Sequence, residues 1–226
     1  MTPAQLPLDL PHREALGRED FLIAEANQAA VTFVDKWPDW PTHAAVLVGP
    51  TGAGKTHLAH VWCAKSHARI AAASSLVEAA VPALAKAKFV LLENIDELPK
   101  STEPALFHLI NHVKEVGGHL LMTSRLAPAH LDVVLPDLGS RLRAAIVVEM
   151  GPPDDMLLSA ILQKLFNDRQ LVASEAVLAY LTAHMDRSVA AAQALVADVD
   201  RASLAGKRRI TVPFVAEILR RDTSPS

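Results

Sequence analysis

Residues 49–56 read GPTGAGKT. They follow the apolar run AAVLV at 44–48 and lead into KTHLAHVWCAK at 55–65, so a glycine-rich segment joins a strand candidate to a helix candidate. That context makes the segment a phosphate-binding loop rather than a chance string. Gly49, Pro50, Thr51, Gly52, Ala53 and Gly54 supply backbone that can curl around an anion. The helix start adds partial positive charge, Lys55 reaches the outer phosphates, and Thr56 offers a hydroxyl to Mg²⁺.

The pattern on either side of the loop sets the fold class. Short apolar runs at AAVLVG, ARIAAA, FVLLEN, HLLMTS and AAIVVEM alternate with stretches of helical periodicity. Such alternation predicts five parallel strands joined by crossover helices, an α/β sheet flanked on both faces. A first helix is predicted from Ala24 to Lys36, ending before WPDWP. Beyond Pro152-Pro153 every segment reads as helix: MLLSAILQKLFNDRQL, SEAVLAYLTAHM, DRSVAAAQALVADVDRASLAG and VPFVAEILRR. The expected organisation is an extended tail over 1–20, an α/β nucleotide-binding domain over 21–151 and a helical lid over 152–226.

Further positions along the chain bear on phosphate chemistry. The run FVLL ends in Glu93 and Asn94. A carboxylate at this strand end holds the Mg²⁺ water shell, and a second acid after it would polarise the attacking water. Glu93 fits the first role, one methylene longer than the usual Asp. Asn94 cannot take a proton, a deficit of about 10²- to 10⁴-fold. Asp96 and Glu97, just beyond, are read as flanking the next segment. Thr123, at the end of HLLMTS, puts a hydroxyl at a strand tip, where it either faces a terminal phosphate or satisfies its own turn. LPDLGSRLRAA carries Arg141 and Arg143 at the end of the α/β domain, and HMDRSVAAAQALV sets Arg187 near a helix start in the lid.

Composition removes other classes. The 226 residues carry a formal charge of −3, which gives no global field toward nucleic acid or anionic lipid. Lys207-Arg208-Arg209 is the basic cluster near the C-terminus and reads as a solvated turn. The single cysteine, Cys63, excludes an internal disulfide and sits in an apolar run that implies packing. No apolar stretch approaches the roughly 20 residues that span a bilayer, and no signal-like segment opens the chain, so a cytoplasmic protein is expected. His57 with His60, and His108 with His112, have helical spacing but no evident third ligand, so a metal centre built from histidines is not expected.

The order of phosphate loop, acid, polar strand tip, arginine and lid arginine is that of the AAA+ ATPases. REDFLIAEANQAA, GPTGAGKTHLAH, LLMTS, LPDLGSRL and DRASLAGKRRITVPFVAEIL resemble the bacterial replication initiator DnaA and, more closely, the Hda family of DnaA paralogues that regulate it. The resemblance covers most of residues 15–221. It implies an AAA+ core with a helical lid, bound ADP or ATP with Mg²⁺, Arg141 as a finger acting in trans, Arg187 as a lid sensor, and Phe21, Leu22 and Ile23 as part of the adenine-side wall. The initiator carries a helix-turn-helix domain after its lid, for which the segment ending at Ser226 leaves no room.

Near the N-terminus, QLPLDL at 5–10 places Gln5, Leu6, Leu8 and Leu10 in an arrangement that resembles the peptide by which bacterial proteins dock on the replicative sliding clamp, the β subunit of DNA polymerase III. The implied function is a regulator that is held on the DNA-loaded clamp, meets ATP-bound DnaA at raised local concentration and promotes hydrolysis there, with little or no turnover of its own. DNA contact would then be indirect. The sequence leaves the oligomeric state open, self-association included. The rival reading is an autonomous AAA+ ATPase that loads a helicase on single-stranded DNA. It calls for brisk turnover and a basic, aromatic-studded channel, against which stand one Tyr, three Trp and the negative balance.

Overall fold

The computed structural model describes residues 21–206 and 208–222. Its centre is a five-stranded, wholly parallel sheet in the order β2-β3-β4-β1-β5. The strands are β1 (Ala44–Val48), β2 (Arg69–Ala72), β3 (Phe89–Glu93), β4 (His119–Ser124) and β5 (Ile146–Glu149). All five lie within the apolar runs that predict them.

Side chains alternate across the sheet. Ala44, Val46, Val48, Val90, Leu92, Leu120 and Met122 face one apolar layer, and Ala45, Leu47, Leu91 and Leu121 face the other. A strand buried on both faces reads as a continuous apolar run, which is why AAVLV and HLLM show no polar alternation. The first layer is completed by α3 (Val81–Ala85), α4 (Glu103–Glu115) and α5 (Pro136–Arg143). The second is completed by α1 (Glu25–Asp35) and α2 (Lys55–Ser66), where Leu58 and Trp62 are fully buried.

Four helices form a separate core after Pro153: α6 (Asp155–Asp168), α7 (Glu175–His184), α8 (Val189–Gly206) and α9 (Val212–Asp222). Leu158, Leu162, Phe166, Leu181, Val196 and Val199 are its fully buried centre. Three of these helices start at side-chain caps. Asp154 accepts from Leu157 N–H at 2.7 Å, Ser174 from Val177 N–H at 3.4 Å and Ser188 from Ala191 N–H at 3.0 Å. Each cap satisfies a donor the helix cannot, worth about 1 kcal/mol.

At the N-terminal edge of the sheet lies an aromatic cluster. Trp40 stacks on Trp62 at 5.4 Å and on Phe33 at 4.6 Å, and Trp37 meets Phe89 edge-on at 5.1 Å. The Trp37 indole donates to Nδ1 of His119 at 3.3 Å, and His119 also lies over His43, ring to ring at 5.8 Å. That acceptor role requires a neutral ring. Burial, and secondarily the neighbouring His43, hold the His119 imidazole below its ordinary value. Protonation is thus easier in the unfolded chain. The contribution of His119 to stability is complete above about pH 6.5 and is lost as pH falls through the lower folded-state value. Urea midpoints are expected to fall between pH 7.5 and pH 5.5, and His119→Gln should flatten that slope. An unchanged slope would show that His119 does not carry the dependence.

Candidate phosphate-binding site and lid seam

Every strand ends toward the same edge of the sheet, and there the loop 49–54 turns from β1 into α2. Its glycines have separate reasons. A Cβ on Gly49 would lie 2.2 Å from the Met150 carbonyl oxygen, so only glycine lets β1 and β5 close at their tips. Gly52 and Gly54 adopt φ of 78° and 91°, in the left-handed region that other residues avoid. Lys55 is buried, and its Nζ donates to Gly49 O at 2.7 Å and Pro50 O at 2.9 Å. Burial holds its ammonium below the ordinary lysine value, Asp96 pulls the other way, and Arg125 lowers it further. Thr56 is exposed in the first turn of α2.

The acid at the end of β3 faces α2. Glu93 Oε1 lies 3.8 Å from His60 Nε2, and its charge adds to burial in pushing the Cys63 thiol up to about 12, so that the thiol stays protonated and inert. Asn94 is exposed with φ 57°, a left-handed conformation that asparagine tolerates better than most residues. Its backbone N–H donates to Thr123 Oγ1 at 2.9 Å. Thr123 is itself 1% exposed, so the hydroxyl read from sequence as facing a phosphate or its own turn instead ties β4 to the residue after β3.

A second tie runs the other way. Arg125 donates its backbone N–H to Asp96 Oδ1 at 3.1 Å and its Nε to Asp96 Oδ2, while Nη2 lies 3.3 Å from Glu97. The Asp96 side chain is 3% exposed. Burial raises the tendency of its carboxyl to take a proton, but the bonds from Arg125 outweigh this and hold it below the usual carboxylate value. Asp96 is therefore the acid that Lys55 feels, a position that sequence reading treats as mere flank. The signal missed is a pairing across 29 residues, which no local pattern carries.

Between the α/β core and the lid lies a cavity of about 300 Å³. Phe21, Leu22, Ala53 and Gly54 line one side, and Leu157, Ile161, Leu165 and Val189 line the other. Phe21 meets His57 edge-on at 5.1 Å. Ile23 does not line the cavity and is 52% exposed, so of the three apolar residues 21–23 only the first two face the seam. Asn27, another wall residue missed from sequence, pins this segment: it donates to Leu22 O at 3.0 Å and accepts from Ala24 N–H at 2.9 Å. Arg187 is exposed at the lid end of the site and pairs with Asp155 at 2.6 Å. Arg141, on the last turn of α5, is exposed and makes no ion pair or hydrogen bond among the described residues. Gln5, Leu6, Leu8 and Leu10, with the rest of 1–20, lie outside the described residues.

Among the described residues no group of three or more His, Cys, Asp or Glu is placed to hold a metal ion. His108 lies 3.6 Å from Glu78, and His112 lies 3.5 Å from Glu115. Thr56 and Glu93 carry oxygen donors of the hard kind that Mg²⁺ takes. No described helix is long and apolar enough to cross a membrane.

The lid rests directly on the phosphate loop. Val189 N–H at the start of α8 donates to Gly52 O at 3.0 Å, and a Cβ on Gly52 would lie 2.1 Å from the Ser188 Cβ. Gly52→Ala should therefore cost about 1–3 kcal/mol through overlap and a strained φ. Thermal unfolding is the measurement, and part of the loss should return when Ser188→Gly is added. A Gly52→Ala protein as stable as the parent would rule out this lid contact.

Comparison with known proteins agrees with this geometry. Residues 155–219 match the family model described as Hda, lid domain. Domain III of the Thermotoga maritima replication initiation protein DnaA aligns with a TM-score of 0.80 at 18% identity, over 96% of this chain and 100% of that one. AMPPCP-bound DnaA from Aquifex aeolicus aligns at 0.71 with 22% identity, over 90% and 69%. Thermotoga maritima RuvB, a Holliday junction branch migration motor, aligns at 0.67 with 18% identity, over 86% and 66%. The chain thus spans the whole of the domain III structure and about two thirds of the longer DnaA and RuvB chains. A five-stranded parallel core with the fold of DnaA domain III is followed by a helical lid whose residues 155–219 match the Hda lid-domain model.

Proposed function

We propose that this protein is a regulator that shuts off the replication initiator: held on the DNA-loaded sliding clamp by QLPLDL, it presents Arg141 to the nucleotide of ATP-bound DnaA and promotes hydrolysis there. The observation that carries the reading is the state of Arg141. It stands exposed on α5 without a partner among the described residues, while the chain's own site has Asn94 where a second acid would polarise water. A guanidinium lent to a triphosphate neutralises the charge that develops during transfer and is worth about 10³- to 10⁵-fold in rate.

The chain's own nucleotide, ADP or ATP, would be held by the backbone of 49–54 and by Lys55, with Mg²⁺ on Thr56 and Glu93 and the base in the cavity beside Phe21 and Leu22. Arg187 lies one residue from the Ser188 contact with the loop and would reach a phosphate by giving up its pair with Asp155. In this role the nucleotide orders the core and lid, and the chemistry belongs to the partner. Docking by the tail raises the local concentration of the finger near the initiator without any new contact between the two.

Arg141→Ala should lower clamp-dependent stimulation of DnaA ATP hydrolysis by about 10³-fold and leave nucleotide binding intact. Stimulation at the parent level would remove the finger assignment. Gln5→Ala combined with Leu8→Ala should abolish capture of the protein by immobilised clamp, and retained capture would show that the anchor lies elsewhere. The isolated protein should turn over ATP slowly; brisk turnover would favour the helicase-loader reading.

A further inference from the structure

Glu103 is a charged side chain that neither the phosphate site nor the apolar core explains. It opens α4, is 3% exposed, and lies on the face of the sheet that carries α3, α4 and α5. Both carboxylate oxygens are used. Oε1 accepts from Val134 N–H at 3.1 Å, and Oε2 accepts from Val134 N–H at 3.0 Å and from Leu135 N–H at 2.6 Å. Lys100 Nζ lies 3.9 Å from Oε1 and 2.8 Å from Asp132 on the same connecting segment.

Residues 134 and 135 are the entrance to the finger helix. Leu135 is the N-cap of α5 and Pro136 its first residue, which has no N–H to offer. Leu135 has no side-chain cap of its own. The helix that follows has eight residues and packs on the core through Leu138, Gly139 and Leu142, so its entrance is the second point at which its direction is held. Arg141 is six residues beyond the anchored N–H group of Leu135, about 9 Å along the axis. A carboxylate that fixes two consecutive backbone donors at the helix entrance therefore sets where the guanidinium at its far end points.

We propose that Glu103 is a positioning residue for the finger, tying the entrance of α5 to α4 so that Arg141 is presented in a single direction. The proposal rests on the reading of Arg141 given above. Glu103 touches no nucleotide in either molecule. Its effect passes through α5, and so removing it should matter only while Arg141 is present.

The test uses the full chain with DNA-loaded clamp and ATP-bound DnaA, comparing Glu103→Ala, Glu103→Gln, Arg141→Ala and the double variant Glu103→Ala/Arg141→Ala. Glu103→Ala should lower the maximal stimulated rate at least tenfold at an unchanged half-saturating concentration. Glu103→Gln, which keeps one acceptor oxygen, should recover most of that loss. The double variant should be no worse than Arg141→Ala alone, because both substitutions act through one group. Amide hydrogen exchange on Glu103→Ala should show protection lost at least tenfold over residues 137–143 while β4 and the lid keep theirs.

The inference alone would be overturned by parent-level stimulation and exchange in Glu103→Ala, or by losses that multiply in the double variant. Protection lost uniformly through the domain would also overturn it, since Glu103 would then serve general stability. Parent-level stimulation by Arg141→Ala would remove the finger reading instead, with the exchange over 137–143 still reporting whether Glu103 anchors α5.

Discussion

Burial of a parallel sheet on both faces is the constraint from which this structure follows. Five strands that run the same way must be joined by crossovers, and right-handed crossovers place helices over each face. The strands are then almost wholly apolar, and chemistry can enter only where they end. All five C-terminal ends lie along one edge, so the phosphate loop, Glu93, the Asp96–Arg125 pair and the Thr123 hydroxyl come together although they are spread over some eighty residues of sequence. The opposite edge carries an aromatic cluster and no phosphate-binding feature.

Along the active edge, rigidity and reactivity have separated. The tips of β3 and β4 are joined by two bonds of opposite sense, from Asn94 to Thr123 and from Arg125 to Asp96. Asn94 fits this pattern because its backbone takes a left-handed turn while its carboxamide faces solvent. Binding and ordering of a nucleotide require the loop and its lysine, and these are intact. The position after β3 carries a carboxamide, Asn94, in place of a second acid.

The sequence made the strands legible because burial on two faces leaves a mark that needs no partner to read: a short apolar run between turn residues. The lid helices were legible for the related reason that one face of each is apolar, and their ends in the structure fall within a few residues of the expected ones. The phosphate loop was legible because glycines at fixed spacing have few other uses. Partnerships over long separations were not. Nothing local in EPALF tells that Glu103 reaches residues 134 and 135, or in NIDEL that Asp96 meets Arg125. Ile23 shows the same limit on a smaller scale, since three apolar residues in a row do not reveal which one an extended backbone will turn outward.

The contact between Val189 and Gly52 joins main-chain atoms on both sides. Mutational drift can exchange nearly every side chain around it without deleting the donor or the acceptor, unless proline enters at 189 or bulk at 52. The contact also makes the hinge between the two bodies answer to whatever moves the loop backbone, so an anion settling into the loop would be felt by the lid before any side chain of the lid had touched it.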